Sequence, residues 1–197
     1  MKNSLRIAAL AGAAALLQLP AAHALSLVDS VLNGNTAGTD FSTPDTVAVD
    51  IGFNAPGSVV LTYEVDAADI DRGSALFNSI VDNFTASPFG TLSFALDAGK
   101  FVPGGFISND GTATATIQQD RLVSFTFTPA LVTQAYVGDP FFDGAGENWL
   151  IRFDGMTAGE RISLSVTAAV PEPETWALLA AGLGILAMSA RRRRQAG

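Results

Sequence analysis

Between residues 46 and 168 apolar side chains recur at every second position, and this period of two constrains the fold more than any other feature. Val47, Val49, Ile51 and Phe53 alternate with Thr46, Ala48, Asp50 and Gly52. After Ala55-Pro56-Gly57, which reads as a turn, Val59, Leu61, Tyr63 and Val65 alternate with Val60, Thr62, Glu64 and Asp66. The same pattern returns at Leu92, Phe94 and Leu96, at Ala113, Ala115 and Ile117 following Asn109-Asp110-Gly111, and at Val123, Phe125 and Phe127. Residues 131–137, 149–154 and 161–168 complete eight strand segments. Successive side chains of an extended chain point to opposite faces, so most of these segments offer one apolar and one polar face. One-sided burial belongs to antiparallel sheets packed in pairs, whereas buried parallel strands read as continuous apolar runs. The expected fold is therefore all-β: an antiparallel β-sandwich, with a jelly-roll-like arrangement as one form of it.

One segment departs from the pattern. From Arg72 to Phe84, the residues Leu76, Phe77, Ile80, Val81 and Phe84 fall at spacings of three and four, which predicts one short helix. Such a helix would plug an open end of the sandwich or act as a lid. Asn33-Gly34-Asn35-Thr36-Ala37-Gly38-Thr39 reads as a flexible loop.

The two ends of the chain read differently. Lys2 and Arg6 precede an apolar run from Ile7 to Leu17, and Ala22-His23-Ala24 forms a small-residue exit with Ala22 and Ala24 at the A-x-A positions. Residues 1–24 are thus expected to be a signal peptide cut after Ala24, read by the Sec export machinery. Its removal takes away the chain's one histidine. At the other end Pro171, Glu172 and Pro173 precede an uncharged run from Trp176 to Ala190, which is closed by Arg191, Arg192, Arg193 and Arg194. The prolines fix φ and remove two backbone donors, so helix and sheet both stop at residues 171–175. Fifteen helical residues from 176 to 190 rise roughly 22 Å, short of a hydrocarbon core of about 30 Å, a gap that snorkelling arginines and local thinning reduce. The expectation is a transmembrane helix at 176–190 with a basic cytoplasmic end at 191–197. Basic clusters at both chain ends place residues 25–170 on the far side of the inner membrane, facing the periplasm.

Residues 25–170 are one domain's worth of chain and hold five basic against seventeen acidic residues, more acidic in balance than the whole chain at −8. Phosphate binding needs a basic face, so nucleic acid is not an expected partner. The chain has no cysteine, which excludes a Cys nucleophile, and with His23 removed it also excludes Cys/His metal centres and a Ser-His-Asp triad. Two acidic loops remain. Asp66, Asp69 and Asp71 stand before Gly73, and Asp139, Asp143 and Glu147 with Asn148 surround Gly144 and Gly146. Flexible carboxylate loops suit calcium, although neither matches the EF-hand loop, and solvated surface acids are the competing reading. No catalytic or cofactor-binding residue is assigned. A carbohydrate-active hydrolase using an Asp/Glu pair is the alternative, for which Trp149 and Arg152 are the residues to watch; period two sets them on opposite faces of one strand. Asn83-Phe84-Thr85 has the form of a glycosylation sequon and is discounted for its apolar middle residue.

The order of Pro171-Glu172-Pro173, apolar span and Arg191–Arg194 resembles the PEP-CTERM sorting signal of Gram-negative bacteria. The resemblance implies export, transient anchoring in the inner membrane and recognition and cleavage by an exosortase near Pro-Glu-Pro. It further implies delivery to the cell surface or the exopolysaccharide matrix. Ectodomains carrying this signal are diverse, so for residues 25–170 it implies neither ligand nor activity. A non-enzymatic structural or polysaccharide-associated role is the expectation.

Overall fold

A computed structural model describes residues 24–170 apart from 103, 106, 109–111, 119 and 145. The expected signal peptide apart from Ala24, the expected transmembrane helix and the expected basic end all lie outside the described residues.

The strands are β1 (Ser26–Val31), β2 (Thr36–Asp40), β3 (Thr46–Phe53), β4 (Gly57–Glu64), β5 (Ser74–Asn83), β6 (Phe89–Leu96) and β7 (Lys100–Val102), followed by β8 (Ile107–Ser108), β9 (Thr112–Gln118), β10 (Leu122–Leu131), β11 (Gln134–Val137), β12 (Trp149–Arg152) and β13 (Arg161–Ala169). One sheet has the order β1-β4-β13-β6-β10-β9; the other runs β2-β3-β5-β11-β8, with β12 also on β5 and β7 on β12. All eight expected segments contain strands, the one at 131–137 being divided between the end of β10 and β11. Their apolar sets face a shared interior: Val59, Leu61 and Tyr63 of β4 are buried while Val60, Thr62 and Glu64 are half-exposed.

Aromatic rings join the two sheets edge to face. Phe77 of β5 meets Phe94 of β6 at 5.9 Å between centroids, Phe94 meets Phe125 of β10 at 5.9 Å, and Phe125 meets Trp149 of β12 at 5.6 Å. Phe101 of β7 closes the row on Trp149 at 6.2 Å. The negative ring face of each partner receives a positive edge, worth about 0.5–1.5 kcal/mol per pair beyond the area buried. Gly105 lies so close to the Trp149 indole that a Cβ there would sit 2.3 Å from the ring. Only glycine fits.

Three expectations are corrected. Residues 74–83 form β5, not a helix, and the described residues hold one short helix, α1 (Ala67–Arg72), immediately before it. β5 is flanked by strands on both sides, so its core row Ala75-Phe77-Ser79-Val81-Asn83 is interleaved with partly buried Leu76 and Ile80. Two period-two rows superposed produce spacings of three and four. Ser79 and Asn83 hid the core row because they are polar, yet both are bonded inside: Ser79 Oγ donates to the Val49 carbonyl at 2.6 Å, and Asn83 Nδ2 to the Leu131 carbonyl at 3.1 Å. Secondly, Thr36–Asp40 is β2 rather than loop, held on β3 with Thr36 facing Gly52. Thirdly, β3 and β5 run parallel, Thr46 facing Leu76 and Phe53 facing Asn83. A parallel return needs a long crossover, and β4 with α1 supplies it through the opposite sheet. This seam departs from an all-antiparallel sandwich, and so from a jelly roll, whose Greek keys are antiparallel.

Both short motifs at the turns are built by acidic side chains. Asp66 caps α1: its carboxylate accepts from the Asp69 N–H at 2.7 Å, and Asp69 returns the bond to the Asp66 N–H at 2.9 Å. The Asp69 side chain is 1% exposed, is paired with Arg72, and also accepts from the Leu25 N–H at 3.4 Å. Further along, β11 and β12 lie end to end along β5, interrupted by an excursion over residues 138–148. Asn148 Oδ1 closes the excursion by accepting from the Asp139 N–H at 2.7 Å and from Asn78 Nδ2 at 3.4 Å. The Asp139 carboxylate accepts from the Gly144 N–H at 2.8 Å and the Asp143 N–H at 3.2 Å.

Replacing Asn148 by Ala strands the Asp139 N–H and takes one of two acceptors from Asn78 Nδ2, which keeps the Asp139 carbonyl at 3.0 Å. It is expected to cost about 1–3 kcal/mol in urea denaturation, while Glu147→Ala, at an exposed position, stays within about 0.5 kcal/mol of wild type. Equal effects would mean that Asn148 is not the clasp. A second expectation concerns Asp69, whose carboxyl is pushed above its ordinary 3.8 by burial and by the Asp66 charge, against the bonds from Asp66 and Leu25 and the Arg72 charge that pull it down. Above 3.8 the unfolded chain gives up its proton first, so this group's contribution favours folding at acid pH and fades as pH rises through the folded value. The stability difference between wild type and Asp69→Asn should therefore fall as pH is raised from below 3.8 to neutral. Parallel pH curves for the two proteins would remove Asp69 as the source.

Candidate functional site

The registers give the sandwich two chemically distinct ends. Arg161 of β13 faces Glu64 of β4, Leu122 of β10 faces Ala95 of β6, and Arg152 of β12 faces both Ser74 of β5 and Lys100 of β7. All five basic residues of the domain, Arg72, Lys100, Arg121, Arg152 and Arg161, therefore gather at this end. Acids accompany them. Lys100 and Arg152 both bridge to Asp154, and the Lys100 hydrogen bond, with the two positive charges behind it, holds the Asp154 carboxyl below its ordinary value. Arg121 donates to the Asp97 carbonyl at 2.7 Å.

Two open grooves lie here. One, of about 360 Å³, is bounded by Gly99, Arg121, Asp154, Met156, Glu160 and Arg161. The other, of about 330 Å³, lies among Arg72, Ser74, Val102, Leu150 and Arg152. Guanidinium and carboxylate groups side by side offer donors and acceptors to a hydroxyl-rich ligand. Among the described residues no aromatic face lines either groove.

The residues singled out in the sequence are distributed otherwise. Asp66 and Asp69 spend their carboxylates on the ends of α1, and Asp71 is exposed beside them. Asp139 clasps the 138–148 excursion from within, with Asp143 and Glu147 exposed outside it. Among the described residues no three acidic or histidine side chains converge on one point as metal ligands would. Trp149 is 3% exposed in the aromatic row, so it presents no stacking surface, and Arg152 points away from it on the solvent face. Asn83 is buried at the far end of β5: its Nδ2 donates to the Leu131 and Ser87 carbonyls, and its Oδ1 accepts from the Thr85 N–H and hydroxyl. A fully bonded buried amide offers nothing to a glycan. Sequence reading missed both grooves, although each basic residue stands at or beside a strand boundary; pairing, which sequence does not display, brings them together.

The tail leaves from the opposite end. Ala168 of β13 faces Gly57 and Leu92, and Ala169 faces Thr91, so Val170 emerges beside the β3–β4 and β5–β6 connections. β13 is an interior strand, bonded to β4 on one side and β6 on the other. The residues that follow are thus tethered to the middle of a sheet.

Comparison with known proteins bears on this tail. Residues 169–194 match the family model of the PEP-CTERM protein-sorting motif. No curated protein and no solved structure gives a significant match to the chain. The match begins at the last residue of β13 and is confined to the C-terminal tail, where the chain carries a segment similar to the PEP-CTERM sorting motif.

Proposed function

We propose that the chain is an exported, exosortase-processed protein of the cell surface or extracellular matrix, with a non-enzymatic structural or polysaccharide-associated role. The observation that carries this reading is the sorting motif, placed directly after a strand bonded on both sides. In it, residues 1–24 direct export, residues 176–190 hold the chain in the inner membrane, and Arg191–Arg194 stay in the cytoplasm. Residues 25–170 fold on the periplasmic side. An exosortase then cuts near residues 171–175, where Pro171 and Pro173 keep the peptide extended and open to a membrane protease. Lipid alone does not read Pro-Glu-Pro, so the motif is superfluous in a permanent anchor. The cut falls outside every strand and leaves both sheets whole.

A binding role suits the two mixed-charge grooves, which lie at the end away from the tail and face outward from the membrane. Exopolysaccharide hydroxyls are the ligand chemistry that paired Arg and Asp side chains there would meet. Of the acids considered for calcium, Asp66, Asp69 and Asp139 work in a cap and a clasp, which supports a structural reading of those three.

Two measurements test the sorting reading. Glu172→Ala combined with Pro173→Ala should leave membrane insertion intact while the full-length form accumulates on blots of membrane and surface fractions. If wild type also stays full-length in the membrane when the host exosortase is present, the tail is a plain anchor. Protease added to spheroplasts should digest residues 25–170 and spare an epitope placed after Arg194. A protected domain would overturn the topology.

A further inference from the structure

The end of the sandwich that bears the tail has a composition unlike the rest of the surface. Its described connections are residues 32–35, 54–56, 84–88 and 132–133, and none of these residues is charged. The seventeen acids and five bases of the domain lie elsewhere, except Asp110, which falls outside the described residues. Asp82, one position into β5 from this end, is bonded by Gln134. The two most exposed large apolar side chains of the described residues are also here, Val132 at 65% and Phe84 at 63%, and Val31 at 51% ends β1 on the same side.

These side chains are held, not loose. Asn83 ties the 84–88 and 131–133 loops together through Leu131 and Ser87, and its N–H donates to the Thr133 carbonyl at 2.7 Å. The Phe84 ring lies over Gly52 of β3, where an added Cβ would come within 2.7 Å of it. A rigid, uncharged, apolar-tipped end in a strongly acidic domain has no benefit in free solution, where charge favours solubility.

We infer that this end docks on the lipid surface of the membrane in which the tail is inserted, with Phe84 and Val132 entering the headgroup–acyl boundary. The inference rests on the proposed anchoring of residues 176–190. Five residues, Pro171 to Thr175, separate Val170 from the apolar run, and fully extended they reach only about 17 Å. The end of β13 is therefore confined to the membrane surface whether or not it binds. Given that confinement, orientation is decided by electrostatics and apolar contact. Anionic lipid repels acids within a Debye length of about 8 Å, and the described connections of the tail end carry no charge into that layer, Asp82 with its Gln134 partner being the nearest acid behind them. Phe and Val side chains already exposed gain by leaving water, and their loops need no rearrangement to do so. Docking would hold the grooves outward and keep Pro171–Pro173 at a fixed height above the bilayer.

The chain lacks cysteine, so single-cysteine variants report one position each. Full-length protein is reconstituted in phosphatidylethanolamine–phosphatidylglycerol vesicles carrying a lipid-bound quencher, with a fluorophore at Phe84→Cys, Val132→Cys, Thr157→Cys or Ala181→Cys. Strong quenching is expected at Ala181, and at Phe84 and Val132 several-fold more than at Thr157 of the opposite end. Adding Phe84→Glu to the Val132→Cys protein should abolish most of the Val132 quenching, with circular dichroism confirming the fold. If Ala181 is quenched while Phe84 and Val132 match Thr157, or if Phe84→Glu leaves Val132 fully quenched, docking is wrong and the anchor stands. An unquenched Ala181 overturns the anchor and docking together. Quenching at Phe84 that appears only when exosortase is added to the vesicles assigns the surface to the enzyme, and lipid docking fails.

Discussion

The row of edge-to-face rings running Phe77, Phe94, Phe125, Trp149 and Phe101 is the contact on which the rest of the structure depends. It fixes the distance between the two sheets and consumes the domain's one tryptophan in doing so. A protein that recognises sugars by stacking needs an exposed ring in a cleft, and here Trp149 is enclosed, with Gly105 against its face. The interior being filled by this row, ligand chemistry is displaced to the rims of the sandwich, where strands end and charged side chains reach water. The two grooves beside Arg121, Arg161 and Arg152 are the consequence.

What the sequence displays of this fold follows from how each strand is buried. β4, β6, β10 and β13 have one wet face, so their alternation is legible, broken only at Gly90–Thr91 of β6 and Thr128–Ala130 of β10. β5 has neighbours on both edges and burial on both faces, and it carries Ser79 and Asn83 inward with Leu76 and Ile80 outward. Its pattern cannot be told from a helix by spacing alone, because the bonds that make Ser79 and Asn83 tolerable in the core come from distant strands. β2 is hidden for another reason: Gly38 stands where the strand closes on Asp50, whose Cβ would be a tight 3.0 Å from an added Cβ, and a glycine-bearing strand reads as loop. The parallel seam of β3 and β5 is a statement about pairing, which no local pattern contains.

The candidate acids illustrate the same limit. Asp66, Asp69 and Asp71 are close in sequence and look like a cluster of ligands, but a capping box demands the first two at this spacing of three. Asp139 and Asn148 are nine residues apart and become partners only because the chain leaves β5 and returns to it. Carboxylates near one another along a chain are thus weak indicators of a metal. Their bonding to backbone N–H groups, visible only after folding, accounts for Asp66, Asp69 and Asp139.

The sorting motif was legible because it is read as a linear peptide. Its parts act through composition and order: prolines that forbid regular structure, a run soluble in lipid, and a basic stop. Such a signal can follow any domain whose last element ends at the surface. In the proposed reading, what the domain must supply is an attachment that survives loading on one side of the membrane while the tail is held on the other. β13 meets this need. From Arg161 to Ala168 it is paired residue by residue with β4, and from Leu164 to Ala169 with β6, so a pull on Val170 is shared by two ladders running along the strand. An edge strand such as β1 or β9 would peel under the same load, with one ladder to break in place of two. Placing the tail on an interior strand would keep the sheet intact until the proposed cut. It also brings the uncharged loops at residues 54–56 and 84–88 to the side where the tail begins, so attachment and surface composition follow from one choice of strand.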